Sequence, residues 1–107
     1  MITINQTEQF SHWLHKLKDP IGKVGILTRI KRAQGGNFGD HKLLSNTGGI
    51  YEMRIFKGNG YRVYYAQEAD AIYLLLIGGS KDSQQNDIDK ACKLWQQVKQ
   101  HEVTRHD

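Results

Sequence analysis

The sequence predicts an α+β fold: a small twisted antiparallel sheet with an N-terminal helical hairpin packed on one face and a C-terminal helix. Three observations carry that expectation. Apolar residues recur at helical spacing near the N-terminus, they alternate or run together as in strands from Ile50 to Ile77, and the helical period returns after Gly78-Gly79.

Ile2-Thr3-Ile4 is a short β-prone run. Phe10, Trp13, Leu14 and Leu17 then stand at i, i+3, i+4 and i+7, one face of a helix. Asp19-Pro20 offers an N-cap followed by Pro at the first helical position. The second helix carries Val24, Leu27 and Ile30 on its expected core face, and Gly35-Gly36 stops it. A tight turn makes the two helices antiparallel.

Lys42 to Ser45 is a short strand and Thr47-Gly48-Gly49 a turn. From Ile50 to Lys57, Tyr51, Met53 and Ile55 alternate with Glu52, Arg54 and Phe56. Gly58-Asn59-Gly60 tolerates the positive φ angles of a hairpin turn. Tyr61 to Gln67 returns, Glu68-Ala69-Asp70 turns again, and Ala71 to Ile77 is apolar like a strand covered on both faces. A third helix starts near Ser83 with Ile88, Ala91, Cys92, Trp95 and Val98 on its core face, and from about His101 a frayed tail is expected. The order is β-α-α-β-β-β-β-α, a single domain over residues 1–107.

Composition narrows the function classes. Hydrophobic residues are 38% and charged residues 24%, with one Pro, a globular mix. No apolar stretch approaches the ~18 residues that span a bilayer, and Met1-Ile2-Thr3-Ile4 has no basic lead-in, so a cytoplasmic protein without a membrane partner is expected. Cys92 stands alone, which rules out an internal disulfide and a cysteine metal cluster. His12 and His15 are at i, i+3 but have no third ligand in spacing, and they read as solvated surface. No phosphate loop, dinucleotide fingerprint or nucleophile elbow appears, so neither metal nor cofactor is expected. Lys and Arg number 15 against 11 Asp and Glu, a net charge of +4. That excess suits an anionic partner, nucleic acid or acidic protein, without choosing between them.

The cations fall in two groups. Arg54 and Arg62 lie on strands joined by one hairpin turn, with Lys81 past the next strand and Phe56, Tyr61 and Tyr64 interleaved. Guanidinium forks hold phosphate and stabilise growing oxyanion charge, and aromatic rings stack on unpaired bases. The same spacing also suits a half-exposed sheet with solvated outward residues, and both readings stand. The second group, Lys16, Lys18, Lys23, Arg29, Lys31 and Arg32, faces only Asp19. It is either a solvated helix face or a contact for RNA backbone through residues such as Arg29, Lys31 and Arg32.

Six motifs carry a resemblance: Trp13-Leu14 with Leu17-Lys18-Asp19, Arg29-Ile30-Lys31-Arg32, Gly36-Asn37-Phe38-Gly39-Asp40, Glu52-Met53-Arg54-Ile55, Gly60-Tyr61-Arg62-Val63-Tyr64-Tyr65, and Gly78-Gly79-Ser80-Lys81. In this order, from Phe10 to Leu94, the chain resembles the addiction-module killer proteins, the HigB-like branch of the RelE/ParE toxins, and a related phage protein group. The resemblance implies a RelE-like fold and a toxin encoded beside a helix-turn-helix, HigA-like antitoxin, with operator DNA bound only through the antitoxin. It also implies an enzyme that enters the ribosomal A site and cuts mRNA by 2′-hydroxyl attack, without metal. Arg62 would clamp the scissile phosphate, Arg54 would aid it or help activate the 2′-hydroxyl, and Lys81 would stabilise the leaving side or the transition state. Relatives often place a Tyr, His or acid near the start of the last helix; here Asp82-Ser83-Gln84-Gln85-Asn86-Asp87 offers carboxylates and amides, leaving Lys81 or Tyr64 as the general acid. Glu52 stands where some relatives have a second cation. Two other activities share the fold: a ParE-like gyrase poison and a phage-derived binding protein with a decayed site.

Overall fold

The chain forms β1 (Thr3–Gln6), α1 (Glu8–Lys16), α2 (Pro20–Gln34), β2 (His41–Leu43), β3 (Ile50–Ile55), β4 (Tyr61–Ala69), β5 (Ile72–Ser80) and α3 (Gln84–His106), the order that the hydrophobic periods predict. The structure is a computed structural model that describes the backbone of residues 2–106 and the side chains of residues 2–100. The helix α3 is assigned through the segment expected to fray; side chains from His101 onward lie outside the described residues. Among the described residues no helix is long and apolar enough to cross a membrane.

The five strands lie in the order β1-β5-β4-β3-β2. The sheet is mixed, where an antiparallel one was expected, because β1 pairs parallel to β5. A parallel partner needs a long crossover, which the rest of the chain supplies. Interior β5 is covered on both faces, Leu75 entering one core cluster and Leu74 and Leu76 the other.

Those clusters make a three-layer molecule. Phe10 of α1 and Ile26, Ile30 and Ala33 of α2 pack with Met53, Ile55, Val63 and Tyr65 on one face. On the opposite face, Ala91 and Trp95 of α3 pack with Ile50, Tyr64 and Ala66. Each fully buried large apolar side chain contributes about 1.5–3 kcal/mol.

The structure corrects three local expectations. The buried face of α2 is Gly22, Gly25, Ile26, Ile30 and Ala33, while Val24 and Leu27 are exposed. Small residues decide this: a Cβ on Gly22 would stand 2.3 Å from the Tyr61 ring, and one on Gly25 would stand 2.6 Å from Lys57 Cβ. Gly78-Gly79 does not end a strand, since β5 runs through it to Ser80. Each glycine instead admits a neighbour, the Trp13 ring on Gly78 and the Asp87 carboxylate on Gly79. Ala71, expected to open β5, sits in the preceding turn with φ 61°.

One side chain fixes the β3–β4 hairpin against the helices. Asp19 caps α2 by accepting from Gly22 N at 3.1 Å. The same carboxylate accepts from Asn59 N in the hairpin turn at 2.9 Å and from the Tyr61 hydroxyl at 2.7 Å. The Tyr61 hydrogen bond, with those from Asn59 and Gly22, holds the Asp19 pKa below its ordinary 3.8.

Two outcomes are expected. Gly78→Ala should lower unfolding stability by about 1–3 kcal/mol in urea denaturation; unchanged stability would mean the Trp13 ring is not seated on β5. A depressed folded-state pKa stabilises fully above the ordinary value and is lost as pH falls through the folded one. The stability advantage of the native chain over Asp19→Asn should therefore be flat at neutral pH and vanish only below pH 3.8, as read from paired denaturation curves across pH.

Candidate functional site: an arginine pair on the sheet

The register places Arg54 of β3 directly opposite Arg62 of β4, and Arg62 opposite Gly79 of β5. All three face α3, because Gly79 would direct a Cβ into Asp87. Like charges directly opposed on a sheet destabilise it, so this pair needs a compensating environment.

Carboxylates supply it. Arg54 pairs with Asp40 at 2.9 Å, a contact open to solvent on both sides. Arg62 Nε lies 3.6 Å from Glu52 Oε2, with Arg62 17% and Glu52 1% exposed. Glu52 also accepts from Gln84 Nε2 at 2.9 Å, joining the start of α3 to the sheet. Beside it the Tyr64 hydroxyl is buried, and burial together with the Glu52 charge pushes its pKa well above the ordinary tyrosine range. Asp87, buried in the first turn of α3, accepts from Ser83 Oγ. The Nε atoms of Arg54 and Arg62 are both buried without a hydrogen bond, a cost that native cores rarely carry.

The loop holding Asp40 is itself pinned by Arg29. Its guanidinium donates to the Phe38 carbonyl at 2.9 Å, to the Asp40 carbonyl at 3.2 Å and to the Arg54 carbonyl. Arg54 N in turn donates to the Asp40 carbonyl at 2.9 Å.

The sequence-predicted residues therefore separate. Arg54 and Arg62 come together on one face, and Lys81 follows β5 as an exposed residue of a short 3-10 turn. Phe56, just past β3, is 76% exposed, with the Arg54 guanidinium 6.0 Å from its ring centroid. Lys31 and Arg32 are exposed in the last turn of α2. Arg29, however, spends its donors on the backbone. Tyr61 is buried with its hydroxyl on Asp19, and Tyr64 is buried against α3. Helices cover both faces of β4, so neither ring offers a stacking surface, contrary to the sequence expectation.

Sequence reasoning missed the acidic half of the site: Asp40, Glu52 and Asp87. One signal existed. Glu52 lies two residues from Arg54 on an alternating strand, which puts both on one face. The link to Gln84 depends on where α3 docks, and no local pattern reveals that. Chemically, the arrangement offers guanidinium donors, held by solvent-exposed Asp40 and buried Glu52, to a tetrahedral anion.

Removing one partner of the Arg62–Glu52 pair strands a buried charge. Arg62→Ala alone should cost on the order of 3 kcal/mol, and the double variant Glu52→Gln with Arg62→Gln clearly less. A double-mutant cycle by chemical denaturation measures the coupling, and additive losses would mean that the two groups do not interact.

No family model matches the chain. It is 45% identical over 97 residues to an uncharacterized protein of Haemophilus influenzae (strain ATCC 51907 / DSM 11121 / KW20 / Rd), an alignment covering 91% of this chain and 96% of that protein. At that identity and coverage the two are members of one family, and this chain belongs to it.

Proposed function

We propose that the protein is the toxin of a type II toxin–antitoxin module with a RelE-like fold of the HigB-like branch, a cytoplasmic, ribosome-dependent mRNA endoribonuclease. The observation that carries this reading is the opposed pair Arg54 and Arg62, two guanidinium groups one strand apart with buried, unsatisfied Nε atoms. The six ordered motifs of the sequence support it further.

In this reading an mRNA phosphate docks on Arg62 and Arg54. The ribose 2′-hydroxyl gives its proton to solvent as its oxygen attacks the adjacent phosphorus, the P–O5′ bond breaks, and a 2′,3′-cyclic phosphate and a 5′-hydroxyl result. The guanidinium pair stabilises charge as it grows on the non-bridging oxygens, the interaction that accelerates the step rather than only binding substrate. Lys81, exposed at the end of β5, protonates the departing 5′-oxygen. Tyr64 is a poor acid for that step, since its hydroxyl is buried and its pKa raised. Phe56 gives a flanking base a stacking surface, and Lys31 and Arg32 add contacts to ribosomal RNA backbone. A HigA-like antitoxin restrains the activity.

A second reading is favoured by the carboxylates. Asp40 and Glu52 neutralise the two arginines in the free protein, as suits a phage-derived binding protein without chemistry.

Arg54→Gln and Lys81→Ala separate these readings, because both positions reach solvent. With ribosomes and a translated message, each substitution should slow cleavage by about 10²–10³-fold at unchanged folding stability. Cleavage by both variants at the native rate would remove the assigned residues, and an inactive native protein would favour the binding reading.

A further inference from the structure

A groove of about 760 Å³ runs between α2 and the end of β3, lined by Ile21, Val24, Thr28 and Arg32 of α2 and by Phe56 and Lys57 beyond β3. Ile21 and Val24 are 67% and 63% exposed, and with Thr28 they fall at i, i+3 and i+7 along one side of the helix. Contiguous exposed apolar side chains of this size mark a contact surface. They are exposed because Gly22 and Gly25 claim the sheet-facing side of α2.

The charged residues that line the groove, Arg29, Arg32 and Lys57, are all cations, and the Asp19 carboxylate beside it is taken up by Gly22, Asn59 and Tyr61. The segment Pro20–Gln34 carries Lys23, Arg29, Lys31 and Arg32 and no carboxylate. Arg29 is committed to backbone carbonyls, which leaves Arg32 and Lys57 as exposed cations on the groove itself.

We propose that this groove docks an acidic amphipathic helix from a protein partner, its apolar side over Ile21, Val24 and Phe56 and its carboxylates on Arg32 and Lys57. Side-chain recognition by a helix fits better than strand addition. The β3 strand is already paired with β2 and β4, and the N–H and carbonyl of Arg54 are taken by Asp40 and Arg29. Phe56 is the one aromatic ring among the described residues that line the groove, and the aliphatic Ile21 and Val24 of its apolar wall offer RNA bases no stacking partner. A second copy of this chain would bring Arg32 and Lys57 against their own kind across a symmetric interface. The inference stands on the groove and does not depend on the endonuclease reading.

The test is a nuclear magnetic resonance titration of the isotope-labelled full chain with a synthetic 15-residue helical peptide. The peptide carries Leu at i, i+3, i+4 and i+7 and Glu on the flanks, and its control carries Lys in place of each Glu. The acidic peptide should shift the resonances of Ile21, Val24 and Phe56 and bind at least tenfold more tightly than the control. Val24→Glu should weaken binding about tenfold, equivalent to about 1.4 kcal/mol, with unchanged circular dichroism. Any of four results overturns the proposal: no binding, equal binding of both peptides, shifts confined to the Arg54–Lys81 face, or a concentration-dependent dimer abolished by Val24→Glu. Stronger perturbation of the groove by a single-stranded RNA oligonucleotide than by the acidic peptide also overturns it. Since only binding is read, each of these results leaves the cleavage assay to decide the endonuclease reading by itself.

Discussion

The Asp19 carboxylate is the interaction on which the working face of the molecule depends. One side chain caps α2, holds the turn of the β3–β4 hairpin and takes the Tyr61 hydroxyl. Charge-assisted bonds of this kind are roughly twice as strong as neutral ones, and here they fix the distance between a helix and a hairpin that share few other polar ties. Arg29 does the complementary work nearly three helical turns away, by gathering three backbone carbonyls from β3 and the loop before β2. An acid at the N-cap of α2 and a base well along the helix thus both hold the hairpin strand that carries Arg54.

With the hairpin fixed, register does the rest. Direct opposition of Arg54 and Arg62 is unfavourable by itself, and the fold offsets it with Asp40 at the rim and Glu52 in the interior. A buried carboxylate such as Glu52 holds a guanidinium in one orientation while adding little net stability. That arrangement suits a group whose task is to be in place before an anion arrives, since preorganised charge reorganises little during a reaction. On the opposite side of the hairpin, the glycines of α2 that let it approach the sheet also push its aliphatic side chains outward. One packing choice thus creates both the support beneath the hairpin and the exposed groove beside it.

The order of elements was legible because the chain changes hydrophobic period cleanly, and Asp19-Pro20, Gly35 and Gly58-Asn59-Gly60 punctuate it as they should. Local signals failed where a distant partner decides. Gly78-Gly79 reads as a strand breaker until Trp13 and Asp87 are seen to occupy the space it leaves. Val24 and Leu27 read as core because helical spacing reports that a stripe exists without saying that Gly22 and Gly25 make the better contact. The cations of the candidate site could be picked out by alternation, yet their carboxylate partners come from a loop, a neighbouring residue and, through Gln84, the far helix. Tyr61 and Tyr64 were misjudged for the same reason, since alternation does not tell whether a helix covers the face.

If the arginine pair cleaves translated messages, transcript ends mapped in cells induced to express the protein will carry its mark. Such cleavage predicts new 5′-hydroxyl ends inside translated codons, absent from cells that express the Arg54→Gln form. Intact messages accompanied by altered DNA supercoiling, or ends scattered over untranslated RNA, would contradict it.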